Sequence, residues 1–396
     1  MLRRTLQWMA LCFGVVGLAV PSQAQFRFSA EALFMDRDSD GSAPVVAGPD
    51  AFSSGGNYDP QAGFRFTLGG SFDNYDVEFI ASQFDDWDLS DTGTLANPLV
   101  FDETANNPVV VAIPPANTLA YVNSLFDAAT SVDELTESER LQAGATYFSE
   151  SSSRLQDYQI NFGSNPNKYL WRFQVGWRHM RLNENSAVGI RGTFDALDTD
   201  DAAQAGDLGD DPNNALADGS ITGAGFALVS GTNNGFDAAA LGGAVAPDTL
   251  TIYNSSGTSN ILNGVQLSGG YSLFPESLVS VDLIGRAGLF HNYSQGHFSE
   301  ALIGSGNDDS IYQRTFSDNR NGVAYSTSLG AQASVPVTDY ISLSLGYEVN
   351  YIGNVALAPS QSEGIATSPL GARRYRLRTS DSILYHGLNA GLKVVW

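Results

Sequence analysis

The sequence predicts an all-β protein: a transmembrane antiparallel up-and-down β-barrel of about ten strands, with twelve strands as the alternative. Three observations lead to this prediction. Many strand-length segments alternate apolar and polar residues, the connections between them alternate between short and long, and no apolar run of eighteen residues follows the N-terminal region. Helical membrane spans need about 20 apolar residues. Because only helices and closed barrels satisfy every backbone polar group in hydrocarbon, a membrane-spanning form of this chain has to be a closed barrel.

The first 24 residues have the pattern of a secretory signal peptide. A basic start at 1–4 precedes an apolar run at 11–20 and a small-x-small cleavage site at 22–24. We therefore expect a mature chain spanning 25–396. Cys12 is the only cysteine and lacks the preceding small residue of a lipoprotein site, so the mature chain has none. Export without a disulfide framework favours a bacterial envelope protein built on a large sheet.

The composition limits the possible partners. Charged residues make up only 16% of the chain, glycine contributes 41 residues and aromatic residues reach 11%. The formal net charge is −23, which argues against nucleic acid as a partner, because the phosphate backbone requires basic side chains. The expected partners are instead the lipid of the outer membrane and, during biogenesis, the barrel-assembly machinery.

Ten segments alternate apolar and polar side chains with a period of two, as strands do when only one face is apolar. The clearest places Trp171, Phe173 and Val175 opposite Arg172 and Gln174. Together the predicted strands cover 26–34, 64–72, 75–82, 157–162, 169–178, 265–273, 279–289, 323–335, 341–351 and 383–396.

The connections separate a barrel from a β-sandwich. Short turns are predicted near 73–74, 164–167, 274–277 and 336–339, and long loops at 37–60, 87–152, 198–258, 303–318 and 353–382. Outer-membrane barrels have short periplasmic turns, long external loops and an even number of strands. A sandwich has no reason to keep its long loops at one edge. The barrel is therefore favoured, in the bacterial outer membrane, with 87–152 and 198–258 as large extracellular insertions.

The insertion at 87–152 differs in kind from the other loops. Residues 118–128 and 131–143 are expected to form short helices, the second opened by the capping-box pair Ser131 and Glu134. Such an excursion is compatible with a cap on the mouth, a plug in the lumen or a surface ornament.

Aromatic residues cluster near the ends of the predicted strands, where amphipathic rings settle at a membrane interface. They are Phe26, Phe72, Tyr75, Tyr169, Trp171, Tyr271, Tyr340 and Trp396. Trp396 also resembles the terminal aromatic that the barrel-insertion machinery reads as an assembly signal.

Several stretches of the second half resemble the bacterial outer-membrane β-barrel porins of the "porin seven" type. They are GWRHMRLNE at 176–184, SNILNGVQLSGGY at 259–271, RAGLFHN at 286–292, GYEVNYIGNVALAPSQ at 346–361 and the closing YHGLNAGLKVVW. The first 150 residues match that family less well: tryptophan pairs are frequent in family openings, whereas AEALFMDRD stands here. The resemblance implies an outer-membrane barrel and says little about what passes through it.

Charged residues fall on the parity that faces the lumen. They are Arg27, Glu31, Arg65, Asp76, Glu78, Arg172, Arg178, Asp282, Arg286, Glu348 and Lys393. Opposite charges across a narrow barrel are expected to pair, and barrels of about eight strands are filled by side chains. Two functions follow. One is a porin-like narrow channel for ions or small solutes. The other is a structural or adhesive surface barrel with a closed lumen, whose acidic loops bind partners or divalent cations.

Other groups of polar residues give weaker evidence for a functional site. DRDSDG at 36–41 has the start of a calcium loop, but Ala47 stands where a bidentate acid is required, so a solvated acidic loop is the default. The loop 198–258 has many aspartates and neither lysine nor arginine. It suits divalent cations that bridge to surface glycans, or simply a soluble loop.

We expect no enzymatic activity, cofactor or metal. Acids at Asp85, Asp86 and Asp88 and histidines at His291 and His297 match a rim hydrolase in residue type only, since no Asp-x-His pair orients a base.

Overall fold

The fold is described from a computed structural model, in which no helix of the described residues is long and apolar enough to cross a membrane. The structure describes residues 25–40, 43–55, 58–100, 117–119, 137–165, 171–198, 221–222, 225–231, 249–275, 277–305, 309–367 and 373–396. The predicted signal peptide at 1–24 lies outside these residues and stays a prediction.

Nineteen strands account for nearly all regular structure in this part of the chain. They are β1 (Gln25–Ser39), β2 (Ala43–Ala47), β3 (Phe52–Ser54), β4 (Tyr58–Phe72), β5 (Tyr75–Phe84), β6 (Trp87–Thr94), β7 (Leu99–Val100), β8 (Asn117–Leu119), β9 (Glu137–Leu141), β10 (Thr146–Ser164), β11 (Trp171–Asp198), β12 (Ala227–Ser230), β13 (Thr249–Leu273), β14 (Ser280–Ser305), β15 (Ile311–Pro336), β16 (Ile341–Val355), β17 (Ile365–Thr367), β18 (Arg373–Tyr375) and β19 (Asp381–Val395). A 3₁₀ helix spans Pro359–Gly364.

The strands form a closed antiparallel barrel with ten strand positions around the ring, here called staves. Antiparallel pairing runs from β1 through β4, β5, β10, β11, β13, β14, β15, β16 and β19. β6 continues the stave of β5, because β10 pairs with both. β19 pairs with β1 from Arg27–Val395 to Ser39–Ile383 and closes the ring. The predicted fold class and the count of ten strands are confirmed.

The strands are longer than the sequence pattern predicts, at their extracellular ends. β13, β14 and β15 have 25, 26 and 26 residues, whereas crossing a bilayer takes about 9–11. The loop predicted at 303–318 is wrong: β14 ends at Ser305 and β15 begins at Ile311. Above the membrane these strands bury an inner face against the loops described below, which supports pairing far beyond the bilayer.

The insertions at 87–152 and 198–258 need the same correction. Residues 87–94 and 146–152 are barrel strands, and β13 already begins at Thr249. Residues 118–119 and 137–141, expected to be helical, lie in strands β8 and β9, and β9 pairs with the end of β11. At 137–141, pairing with a strand edge takes the place of the expected helix. Residues 142–143 are described and are not helical, and the remainder of both predicted helices lies outside the described residues.

An apolar belt surrounds the outside of the barrel near its short-turn end. Its exposed side chains include Phe173, Val175, Leu267, Leu289, Leu329, Leu345 and Leu392. Aromatic rings border the belt at the periplasmic turns, where Phe26 contacts Phe72 and Trp396, and Trp171 contacts Tyr271. An apolar band about 25 Å tall between aromatic girdles is the surface that such barrels present to lipid.

Replacing Leu329 with arginine tests where this belt lies. Leu329 is 72% exposed midway along the membrane part of β15. An arginine on the lipid face near the bilayer midplane costs about 2–4 kcal/mol and near the interface about 0–1 kcal/mol. We expect Leu329→Arg to lower the free energy of unfolding in lipid bilayers by the larger amount. Asn321→Arg, on the same face but outside the belt, is the control, and equal losses would contradict this placement.

Candidate functional site: the barrel lumen

The periplasmic part of the lumen contains an ion-pair network centred on Arg27. Its Nη2 lies 2.6 Å from Asp76 Oδ2 and 3.2 Å from Glu78 Oε1. Arg172 Nη2 donates to the other oxygen of Glu78 at 2.9 Å. Gly69 makes room for this network, since a Cβ there would lie 2.6 Å from Arg27 Cζ. Because Asp76 and Glu78 alternate with lipid-facing residues on β5, the strand period alone directs both carboxylates inward.

A second network occupies the next level of the lumen. Arg65 Nη1 lies 3.2 Å from Glu31 Oε2 and 3.0 Å from Glu348 Oε2. Arg178 forms a bidentate pair with Asp157, with both nitrogen–oxygen distances 2.9 Å. Bidentate arginine–carboxylate pairs fix geometry as well as charge. Arg178–Asp157 and Arg65–Glu31 join adjacent strands, and Arg65–Glu348 joins two strands that are not adjacent.

Three further predicted lumen residues, Asp282, Arg286 and Lys393, line a cavity of about 330 Å³ at the periplasmic end, here called the vestibule. Arg27, Glu31, Arg65, Glu78, Arg172 and Glu348 line the same cavity. Every lumen charge predicted from the sequence except Asp76 and Arg178 therefore borders it. Asp76 lies directly behind Arg27, and Arg178 pairs with Asp157.

Beyond these charges, the lumen is filled by apolar side chains that the sequence pattern did not single out. This apolar layer consists of Leu33, Met35, Phe84, Trp87, Leu155, Met180, Leu182, Leu262, Phe290, Ile352, Ile383 and Tyr385, all buried. They stand on the same strand faces as the lumen charges: Leu33 follows Arg27 and Glu31 in steps of two, and Met180 follows Arg178. Trp87 donates from Nε1 to the carbonyl oxygen of Met35 at 3.1 Å. The layer crosses the whole lumen.

One ion pair is enclosed at the extracellular side of the apolar layer. Arg37 Nη2 donates to Glu184 Oε1, and neither side chain is exposed. The guanidinium carbon lies 3.9 Å from the ring centroid of Tyr58, a cation–π contact. Arg37 Nε and Nη1 have no hydrogen-bond partner in the described part of the chain. Glu184 is therefore the anion that balances this buried cation.

The connection after β16 turns back into the lumen and forms a plug segment, residues 356–361. All six residues are buried. Asn260 binds its backbone from both sides, donating to the carbonyl oxygen of Ala356 at 2.7 Å and accepting from the Ala356 N–H at 2.9 Å. Glu184 Oε2 accepts from the Ala358 N–H at 3.1 Å, and the Ser256 hydroxyl donates to the Ala358 carbonyl at 2.6 Å.

The insertion at 87–152 is a candidate cap or plug on sequence grounds. Among the described residues, the connection between β16 and β19 forms the plug, and the insertion contributes Leu95 and Leu99 to the cap described below. Signals for this arrangement are present in the sequence. Polar residues Ser256, Thr258 and Asn260 alternate on the inner face of β13, at the height where the plug needs hydrogen-bond partners.

A second hydrophobic cluster, the outer cap, closes the extracellular end. It includes Val45, Val46, Leu95, Leu99, Val188, Ile190, Phe194, Phe226, Leu250, Ile252, Leu302 and Tyr312. Asp50 ties two cap segments together by accepting from Asn117 Nδ2 at 2.8 Å and from the Asn97 N–H at 2.8 Å. These hydrogen bonds lower the pKa of Asp50. Hydrophobic loops packed inside extended strands therefore form a third barrier across the lumen.

The residues of the other candidate sites do not converge in the described part of the chain. Asp36 and Asp38 alternate with buried Arg37 along β1 instead of converging in a loop, and Asp40 accepts from the Ser382 N–H and hydroxyl. Within the described ranges, no group of three or more histidine, cysteine, aspartate or glutamate residues is arranged to hold a metal ion.

One histidine outside the predicted rim positions has polar partners. His386 Nε2 lies 3.3 Å from Asp38 Oδ2, and its Nδ1 lies 3.0 Å from the Tyr347 hydroxyl. A His–Asp contact at the rim would be expected of a hydrolase. The His–Asp contact found here involves His386 on the outer wall, not the predicted His291 or His297. Asp86 is paired with Arg154. The expectation of no enzymatic activity stays untested.

Comparisons with known proteins give remote similarities. No family model and no curated protein matches the chain. The outer membrane protease OmpT from Escherichia coli is 9% identical, with 95% of this chain and 98% of that chain covered and a TM-score of 0.37. The translocator domain of the autotransporter NalP from Neisseria meningitidis is 9% identical, with 99% of this chain and 95% of that chain covered and a TM-score of 0.32. The Pseudomonas putida toluene transporter TodX is 10% identical, with 95% of this chain and 90% of that chain covered and a TM-score of 0.22.

All three TM-scores are below 0.5, so the class of protein has to follow from the architecture itself. A closed ring with an even number of strands, short turns at one end, extended strands at the other and an apolar belt with an aromatic girdle is an outer-membrane β-barrel. The protein is of this class and is located in the outer membrane of a bacterium.

Proposed function

We propose that this protein is a closed-lumen barrel that acts at the cell surface as a structural or adhesive protein, the second of the two functions expected from the sequence. The observation that carries the proposal is the filling of the lumen by three successive barriers: the apolar layer, the plug segment and the outer cap. A solute or ion crossing the barrel would have to displace buried apolar side chains and leave water at each barrier.

The extracellular extension is the part of the molecule that suits a surface role. More than half of β14 and β15 projects beyond the membrane belt, since 9–11 residues suffice to cross it. These strands hold the cap away from the bilayer. The aspartate-rich sequence between the end of β11 and the start of β13 is the proposed contact region for partners or divalent cations.

A narrow channel for ions or small solutes, as the "porin seven" resemblance implies, is the second candidate. The vestibule favours it, because a cavity lined by charged side chains already leads from the periplasmic face into the lumen. The plug segment is a single connection held mainly by hydrogen bonds, so its displacement would remove one barrier without breaking the barrel.

Single-channel recording in planar bilayers tests this assignment. We expect no conductance from the refolded wild-type protein, and none from a variant in which residues 356–361 are replaced by alternating glycine and serine, because the apolar layer remains. Heat-modifiable migration on gels controls for folding and insertion. Discrete steps from the wild type would contradict the closed lumen. Steps from the plug variant alone would favour a gated channel.

A further inference from the structure

We propose that the vestibule is a binding site for a small phosphate-like dianion that enters from the periplasm, with Arg286 as its main ligand. The cavity volume of about 330 Å³ is at the lower end of the range for small-molecule pockets. Because the apolar layer closes its far end, the vestibule is a pocket with one entrance. The proposal does not depend on whether the plug opens.

The carboxylates that line the vestibule are already engaged. Glu78 is shared by Arg27 and Arg172, and Arg65 binds both Glu31 and Glu348. Asp282 accepts from the Ser272 hydroxyl. Arg27 and Arg172 balance Asp76 and Glu78 at short range, and Arg65 lies between two carboxylates.

Two cationic side chains remain without such a partner. Within the part of the chain that the structure describes, neither Arg286 nor Lys393 forms a side-chain ion pair or hydrogen bond. Both line the same cavity. A guanidinium presents five donors and favours planar, bidentate recognition of oxyanions, so Arg286 is open for an oxygen-rich anion in a lumen of reduced dielectric.

The register places hydroxyl groups on both sides of Arg286. Its cross-strand neighbours are Ser268 on β13 and Ser328 on β15, and all three side chains line the cavity. Lys393 lies closer to the entrance, opposite Ser29 and two pairs away from the pairing of Arg27 with Val395. An anion bound at Arg286 would therefore meet a guanidinium and the Ser328 hydroxyl, with an ammonium along its path, whereas the Ser268 hydroxyl donates to Gln174 Oε1 at 3.1 Å.

The donor set favours a dianion over a monoanion. Arg286 and Lys393 offer two positive charges that no short-range ion pair holds, and hydroxyl groups can donate to the additional oxygens of a tetrahedral phosphate. Inorganic phosphate and phosphate monoesters share this chemistry, and a carboxylate offers only one charge and two oxygens.

Isothermal titration calorimetry of the full-length mature protein, folded in detergent, tests the site with inorganic phosphate at constant ionic strength. We expect saturable binding with one site per chain. Arg286→Gln should weaken binding tenfold or more, because a charge-assisted hydrogen bond is lost, and Lys393→Gln should weaken it several-fold. Acetate, the monoanion comparator, should bind the wild type at least tenfold more weakly than phosphate.

Arg154→Gln is the matched control, because it removes the same charge from an exposed pair with Asp86 outside the lumen. It should bind phosphate as the wild type does, and heat-modifiable migration should be unchanged in every variant. Absence of saturable phosphate binding to the wild type would overturn the proposal. So would equal weakening by Arg286→Gln and Arg154→Gln, and acetate binding as tight as phosphate would overturn the dianion assignment.

Discussion

Replacing Glu184 with alanine is expected to lower the free energy of unfolding by about 3–5 kcal/mol, which is the usual cost of leaving one member of a buried ion pair without its partner. Arg37 is fully buried and pairs with no other carboxylate among the described residues. The same substitution removes the acceptor of the Ser153 hydroxyl and of the Ala358 N–H. The loss should be measurable as a shift of the urea midpoint for the change from folded to unfolded gel mobility.

The double variant Arg37→Met, Glu184→Leu separates charge from packing. Replacing both members of a buried pair by apolar groups of similar volume is often neutral or stabilising, so the double variant should recover most of the loss. If Glu184→Ala and the double variant were equally destabilised, the plug hydrogen bond rather than the unpaired cation would be the main contribution of Glu184.

Replacing Trp87 with alanine is expected to have a similarly large effect, about 3–5 kcal/mol, because it opens a cavity in the apolar layer. Trp87 is 0% exposed, and its ring centroid lies 5.0 Å from those of Phe84 and Tyr385. The variant also leaves the Met35 carbonyl without its indole donor.

Trp171→Ala is the matched control, since that tryptophan is 60% exposed in the periplasmic girdle. It removes the same side chain without creating an internal cavity, so the loss should be much smaller when both variants are unfolded by urea from the same lipid vesicles. A loss at Trp171 equal to that at Trp87 would contradict a packed lumen and would indicate that the wall alone supplies the stability.

The barrel and its charged entrance could be predicted because both depend on local periodicity. An alternation with period two fixes which side chains face inward, and short turns fix which end of the barrel they occupy. Arg65, Glu78 and Glu348 therefore appear on the inner face in the sequence pattern, and the structure brings each of them into a pair.

The apolar layer could not be predicted in the same way, although its residues follow the same parity. On β11 the inward series passes from Arg178 to Met180, Leu182 and Glu184, beyond the residue at which the predicted membrane strand ends. The length of the strands beyond the bilayer depends on what packs inside them, which is a tertiary property. The plug segment escapes prediction for the same reason, because its hydrogen-bond partners lie about a hundred residues away, as for Ala356 and Asn260.

The seam between β1 and β19 has a consequence for the order of events during folding. The residues that meet there are far apart in sequence, as in the contact of Asp40 with Ser382 across 342 positions, so the ring closes through contacts of very high separation, which form slowly. The plug segment at 356–361 lies between β16 and β19 in the chain and ends up enclosed by the ring. It has to enter the lumen before or while β1 and β19 pair, because afterwards the extracellular mouth is the only route into the lumen. If β1 and β19 did not pair, an open sheet with an unfilled inner face would therefore remain. The time at which these two strands pair limits the time during which the interior can be packed.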